Sequence, residues 1–267
     1  MASQDDYVFP RDFLDNNRIN LMHHLWTKSY GYLIHPKIQL TNQTSTSQMS
    51  GQAHGRRIWL LDVADQIAKS TAQLYGMDIS FDTAPPPQSF PPHPVPADLV
   101  GSFDIVHVRF FSFVVLNDEI DGVVQRLFEL LKPGGYLQWQ EPDSNMTRVE
   151  TVMPGIETEN VTRLWKILNI QDPPLKPTWP AKLQDIFGAC GFAGVETDLK
   201  TSLPPYQAFL QHECNLIIYL SEVIARKIKN ENLAQQLKEL LPLAMRDTKA
   251  GAYFTSNRWV VIGSKPE

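Results

Sequence analysis

Cysteine is scarce in this chain. Cys190 and Cys214 are the two present in 267 residues, and two thiols cannot build the disulfide framework of a small secreted domain. Each lies in an apolar, helix-like stretch, where a buried free thiol is expected. Long apolar runs are missing too: the best candidates, such as residues 216–220, fall far short of the roughly 18 to 20 residues a membrane span needs. The opening MASQDDYVFPRDF has no basic region followed by an apolar run, so no secretory signal is read there. Basic charge is in short supply, with 24 Lys and Arg against 29 Asp and Glu and a net charge of −5. That balance opposes a broad phosphate-binding face and excludes nucleic acid as an expected partner. There is no GxSxG, no P-loop and no Cys/His spacing of a metal site. A soluble cytoplasmic protein without a metal, acting on a small molecule, is the expectation that remains.

What is present is ordinary globular material, 43% hydrophobic and 20% charged, enough for one large α/β domain. Residues 11–34 carry apolar positions in a loose helical rhythm and read as one or two N-terminal helices. The polar run 39–54 reads as a loop. Residues 57–69 place Ile58, Leu61, Ala64, Ile67 and Ala68 on one side, the spacing of a helix packed on a sheet. AQLYGMDIS reads as a short strand ending in Asp78, and the proline-rich stretch 82–98 as a surface loop. FDIVHVRFF is β-branched and aromatic, as a doubly buried strand should be. The helix GVVQRLFELLK follows, stopped by Pro133, Gly134 and Gly135, and YLQWQEPD is the next strand.

Further helices are expected over 159–170 and 180–191, and two more over 206–241, beginning near Tyr206 and ending near Pro242. VETDLKT reads as a strand, and AYFTSNRWVVIGSKP as a hairpin-like run. Alternating strands and helices imply a mostly parallel sheet with its ligand beyond the carboxyl ends of the strands.

The blocks YVFPRDFLDNNRINLMHHLW, GYLIHPKI, IWLLDVA, GMDIS, LVGSFDIVHVRFF, LLKPGGYLQWQEPD and GAYFTSNRWVVIGSKP resemble, in order, a fungal family of class I, S-adenosylmethionine-dependent methyltransferases encoded with secondary-metabolite pathways. The resemblance implies a Rossmann-like sheet with an N-terminal helical lid over 1–38, a core over 55–150, a helical and substrate-side segment over 151–242 and terminal strands over 243–267.

In that family the segment before IWLLDVA reads DVGTGTG, whose glycines let backbone approach the cofactor. Here it reads Gly51, Gln52, Ala53, His54, Gly55, Arg56, Arg57. Gly55 remains in register, Arg57 stands where a glycine belongs, and the preceding strand SQMSG is poor. The family's third strand is missing as well, because the chain runs from GMDIS through the prolines to FDIVHVR. The sheet is therefore expected to be shortened, its edge covered by a second copy in a homodimer. Gly55 and Asp78 are the residues that would meet S-adenosylmethionine, Asp78 through the ribose hydroxyls, although no cofactor is the favoured expectation.

Candidate catalytic groups are His23 and His24 on the lid helix, Arg109 at the ligand end of its strand, and Glu141 after the next strand with Asp143 beside it. His107 and Arg109 share a strand face. Arg109 could bind a carbonyl or enolate, or be a buried arginine paired with Asp104 or Glu141. Tyr7, Phe9, Trp26, Phe110, Phe111 and Trp139 are expected to wall an apolar substrate pocket. The altered loop favours a repurposed fold that performs a cofactor-independent cyclisation, pericyclic step or proton-transfer isomerisation. The alternatives are a methyltransferase acting on O, N or S of a small molecule and a non-catalytic protein that binds a partner.

Overall fold

A computed structural model describes residues 13–40, 45–50, 56–67, 73–78, 95–112, 115–168, 177–201, 214–215, 218, 221–222 and 230–267. In chain order they form α1 (Phe13–Tyr30), β1 (Ser45–Ser50), α2 (Arg56–Gln66), β2 (Gln73–Asp78), β3 (Phe103–Arg109), α3 (Ile120–Leu130), β4 (Leu131–Thr151), α4 (Glu159–Leu168), a 3-10 turn (Pro180–Lys182) leading into α5 (Leu183–Ala189), β5 (Ala193–Lys200), α6 (Glu231–Ala250) and β6 (Ala252–Ser264). The chain divides into two compact units. The larger comprises 30–145, 173–201 and 257–267, and the smaller 1–29, 146–172 and 202–256.

One six-stranded sheet runs in the order β2-β1-β3-β4-β6-β5. β2, β1, β3 and β4 are mutually parallel where they pair, and β5 is antiparallel to β6. The order matches the Rossmann-like sheet expected from the resemblance, and among the described residues no strand pairs with the outer edge of β2. The polar run read as a loop contains β1. Its residues STSQMS have little strand propensity, but both edges of the backbone are hydrogen-bonded, to β2 and to β3, and pairing overrides propensity in such a position.

In the larger unit, β3 and β4 separate two apolar cores. On one face Val106, Val108, Leu137 and Trp139 pack with Val123, Val124 and Leu127 of α3 and Leu183 and Phe187 of α5. On the other, Ile105 packs with Leu33, Ile34, Ile38 and with Trp59 and Val63 of α2. The α2 face differs from the expected one. Trp59 and Val63, four residues apart, are fully buried, while Leu61 is 63% exposed. The large indole at Trp59 sets which stripe faces the sheet.

α3 follows its periodicity, burying Ile120, Val123, Val124, Leu127 and Leu130. Chain reversal after it requires Gly135, where a Cβ would lie 2.9 Å from the Lys132 carbonyl and 3.0 Å from that of Phe103. Cys190 is half-buried at the end of α5, whereas Cys214 is buried as expected.

In the smaller unit, α4 and α6 pack through Val161, Leu164, Leu237, Leu240, Leu241 and Ala244. Asp247 of α6 accepts the Asn160 amide at 2.9 Å and the Val161 amide at 3.3 Å, capping the start of α4 from outside that helix. α6 does not end at Pro242 but continues through it to Ala250. The buried residues on both sides of Pro242 outweigh its lost hydrogen bond. The stop is Gly251, at φ +116, where a Cβ would run into the Val152 side chain. The terminal run is one 13-residue strand rather than a hairpin. Ser256 and Asn257 at its centre lack the glycine of a two-residue turn.

Candidate site at the carboxyl ends of β3 and β4

Parallel pairing fixes this site. His107 lies opposite Gln138 and Arg109 opposite Gln140, and strand alternation sends all four to the α2 face. His107 stacks flat on Trp59, with ring centroids 4.1 Å apart and planes within 2°. Gln138 is held by the segment after α1, donating to the Leu33 carbonyl at 2.9 Å and accepting from the His35 amide at 2.7 Å.

Arg109 is 3% exposed and donates to Gln140 Oε1 through Nε at 2.7 Å and through a terminal nitrogen. Burial lowers its guanidinium to about 9, against the opposing pull of Asp62 on α2 and of Tyr30. Neither expected arginine partner takes this bond. Asp104 pairs with Lys132 at 2.8 Å, and Glu141 lies on the other face. Tyr30 donates to the Arg258 carbonyl at 2.7 Å and Tyr32 to Asp198 at 2.8 Å. Burial, reinforced by Asp198, pushes both phenols up.

Glu141 lies one residue further along β4, on the α3 face, and is fully buried. It accepts from the amides of Phe111 at 2.8 Å and Ser112 at 3.1 Å, from the Ser112 hydroxyl, and from the Trp139 indole at 3.0 Å. Those donors favour the carboxylate. Burial outweighs them, and the group is pushed up to about 7. Phe110 makes the turn, with φ +60 in the left-handed region, a strained conformation for a bulky residue. Glu141 thereby anchors the loop after β3.

The expected site residues separate accordingly. Arg109, Phe110, Phe111, Trp139 and Glu141 lie together at the ends of β3 and β4. Phe111 and Trp139 belong to the α3-side core, where Trp139 meets the rings of Phe111 and Trp179 edge-on. In the smaller unit His23 is 1% exposed, Trp26 is buried and His24 is exposed. Tyr7, Phe9 and Gly55 lie outside the described residues, as do Gly51 and Ala53. Asp78 is placed by its backbone at the end of β2, opposite Ser50 of β1. Asp143 is buried and accepts from the Asn145 amide.

Gln140, Gln138 and Trp59 are additions that residue-type reasoning missed. The signal for the glutamines was the alternation in YLQWQE, which puts two amides on the face opposite Leu137 and Trp139.

No family model matches the sequence. Among curated proteins, the chain is 34% identical over 149 residues to the N-methyltransferase tcpN of Claviceps purpurea, covering 51% of each chain. It is 32% identical over 130 residues to the N-methyltransferase verN of Clonostachys rogersoniana, covering 45% of this chain and 44% of that one. The matched part thus spans about half the length of these relatives. Among solved structures, a phosphoethanolamine N-methyltransferase 2 of Haemonchus contortus aligns with 96% of this chain and 60% of its own at 15% identity and a TM-score of 0.46. The fungal methyltransferase likeness read from the motif blocks is therefore found in named fungal relatives.

Proposed function

We propose that this chain is an S-adenosylmethionine-dependent N-methyltransferase of fungal secondary metabolism, acting on a hydrophobic small molecule. The likeness to fungal N-methyltransferases favours this over the cofactor-independent reaction expected from the loop alone. The observation that carries it is the β1–β2 register, with Asp78 opposite Ser50. An acid at the end of the strand beside β1 suits the two hydroxyls of a ribose. The residues fit the cofactor in this respect, and they depart from it at Gly51, Ala53 and Arg57, where the resembling family has one acid and two glycines. When bound, the cofactor supplies an electrophilic methyl group. The part of this chain is to orient the substrate nitrogen and exclude water, roles assigned in this reading to Arg109 and to the loop anchored by Glu141.

Calorimetric titration with S-adenosylmethionine tests the reading. Micromolar binding, weakened about tenfold in Asp78→Ala by loss of a charge-assisted bond, together with a one-methyl mass gain in a pathway metabolite, is the expected result. The altered loop favours a second reading, a cyclisation or isomerisation without cofactor. Absence of binding, with metabolite turnover lacking a mass gain, would replace the first reading by the second.

A further inference from the structure

Arginine offers only donors, so the Gln140 amide must turn its oxygen toward Arg109, as its two accepted bonds show. That choice fixes the other end of the amide. Nε2 faces away from the guanidinium, and this nitrogen is buried with no hydrogen-bond partner on a residue that is 0% exposed. A second donor on the α2 face is in the same condition: Trp59 Nε1, on the ring stacked against His107, is buried without a partner. Native interiors rarely leave buried polar atoms unpaired, and each such atom calls for an explanation. Two buried donors on the α2 face are thus left for a ligand atom to meet. Asp62 and Tyr30 do not offset the burial of Arg109, so a further negative charge would favour its ionised form.

We propose that Arg109 and Gln140 form a receptor for an anionic oxygen, a carboxylate or enolate, of a small molecule bound on the α2 face at the carboxyl ends of β3 and β4. Gln140 donates through Nε2 and Arg109 supplies the charge while locking the amide. The two residues act as a unit, because the arginine decides which atom of the amide the ligand meets. The receptor is independent of whether a methyl group is transferred.

Benzoate and benzyl alcohol, matched in ring and differing in charge, are the probes for the full-length chain, followed by calorimetry and by the NMR signal of the Gln140 side-chain amide. Benzoate is expected to shift that signal and to bind at least about tenfold more tightly than the alcohol, as an ionic hydrogen bond does. Gln140→Glu is the decisive variant. It keeps the bond to Arg109 but replaces the donor with a second acceptor, so benzoate binding falls about tenfold or more while the melting temperature does not fall. Gln140→Met, which has no donor, gives the same loss of binding. Equal binding of the two probes, no binding of benzoate, or unchanged benzoate binding in either variant would overturn the receptor. Displacement of benzoate by S-adenosylhomocysteine would assign the carboxylate to the cofactor's amino-acid end, and its retention to a substrate acid. Failure of S-adenosylmethionine to bind would leave the benzoate result intact, so the two proposals fail separately.

Discussion

The two faces of the β3–β4 pair bury comparable polar residues on opposite terms. On the α3 face Glu141 takes up two backbone amides, a hydroxyl and an indole N–H. On the α2 face, one residue earlier, Gln140 satisfies Arg109 and leaves its own Nε2 unmet, as Trp59 leaves its Nε1. A carboxylate that saturates its neighbours is there to hold a loop. A face with donors left over has capacity for a ligand, and it keeps that capacity at a cost of about 1–3 kcal/mol for each unmet group.

The comparison breaks most severely at Trp139, which fills the α3-side core between Phe111 and Trp179 and also donates to Glu141. Trp139→Ala is expected to lower the unfolding free energy by about 3–5 kcal/mol, read from urea midpoints. Glu141→Gln comes next. It replaces one acceptor oxygen with an NH2 that faces other donors, at about 1–3 kcal/mol.

It should also change the pH dependence. The folded carboxyl titrates near 7 rather than near 4.5, so between those values the folded chain holds a proton that the unfolded chain has released. The contribution of Glu141 is fully present below about 4.5 and is lost as pH rises through about 7. Urea midpoints at pH 5 and 7.5 should fall closer together in Glu141→Gln than in the wild type. An unchanged difference would remove Glu141 as the titrating group.

Much of this geometry was legible in the sequence because alternation and periodicity leave a direct trace. FDIVHVRFF and YLQWQEPD announce β3 and β4, and their polar residues announce a site at the carboxyl ends. What stayed hidden depends on partners distant in the chain. β1 is held by the strands on either side of it and not by its own STSQMS residues. Pro242 passes inside α6 because the flanking turns are buried. Glu141 was visible as a carboxylate at a strand end, but three of its four donors come from a turn whose strained residue, Phe110, carries no sequence mark of left-handed backbone. Gln140 was passed over because glutamine lacks the reactivity by which site residues are sought. Its significance appears only once Arg109 is seen to claim its oxygen.

The smallest expected effects on stability are the most informative about the α2 face. Trp59→Phe keeps an aromatic ring over His107 and removes an unmet donor, so the loss of buried ring area is partly offset and the net cost is about 1 kcal/mol, far below that of Trp139→Ala. Gln140→Glu should cost nothing and is expected to raise the urea midpoint slightly, because a neutral acceptor of a buried guanidinium becomes an ionic one. If Gln140→Glu were instead as destabilising as Glu141→Gln, the amide nitrogen would have to be satisfied in the folded chain. The two faces would then bury their polar groups on equal terms, and the α2 face would hold no vacant donor for a ligand to meet.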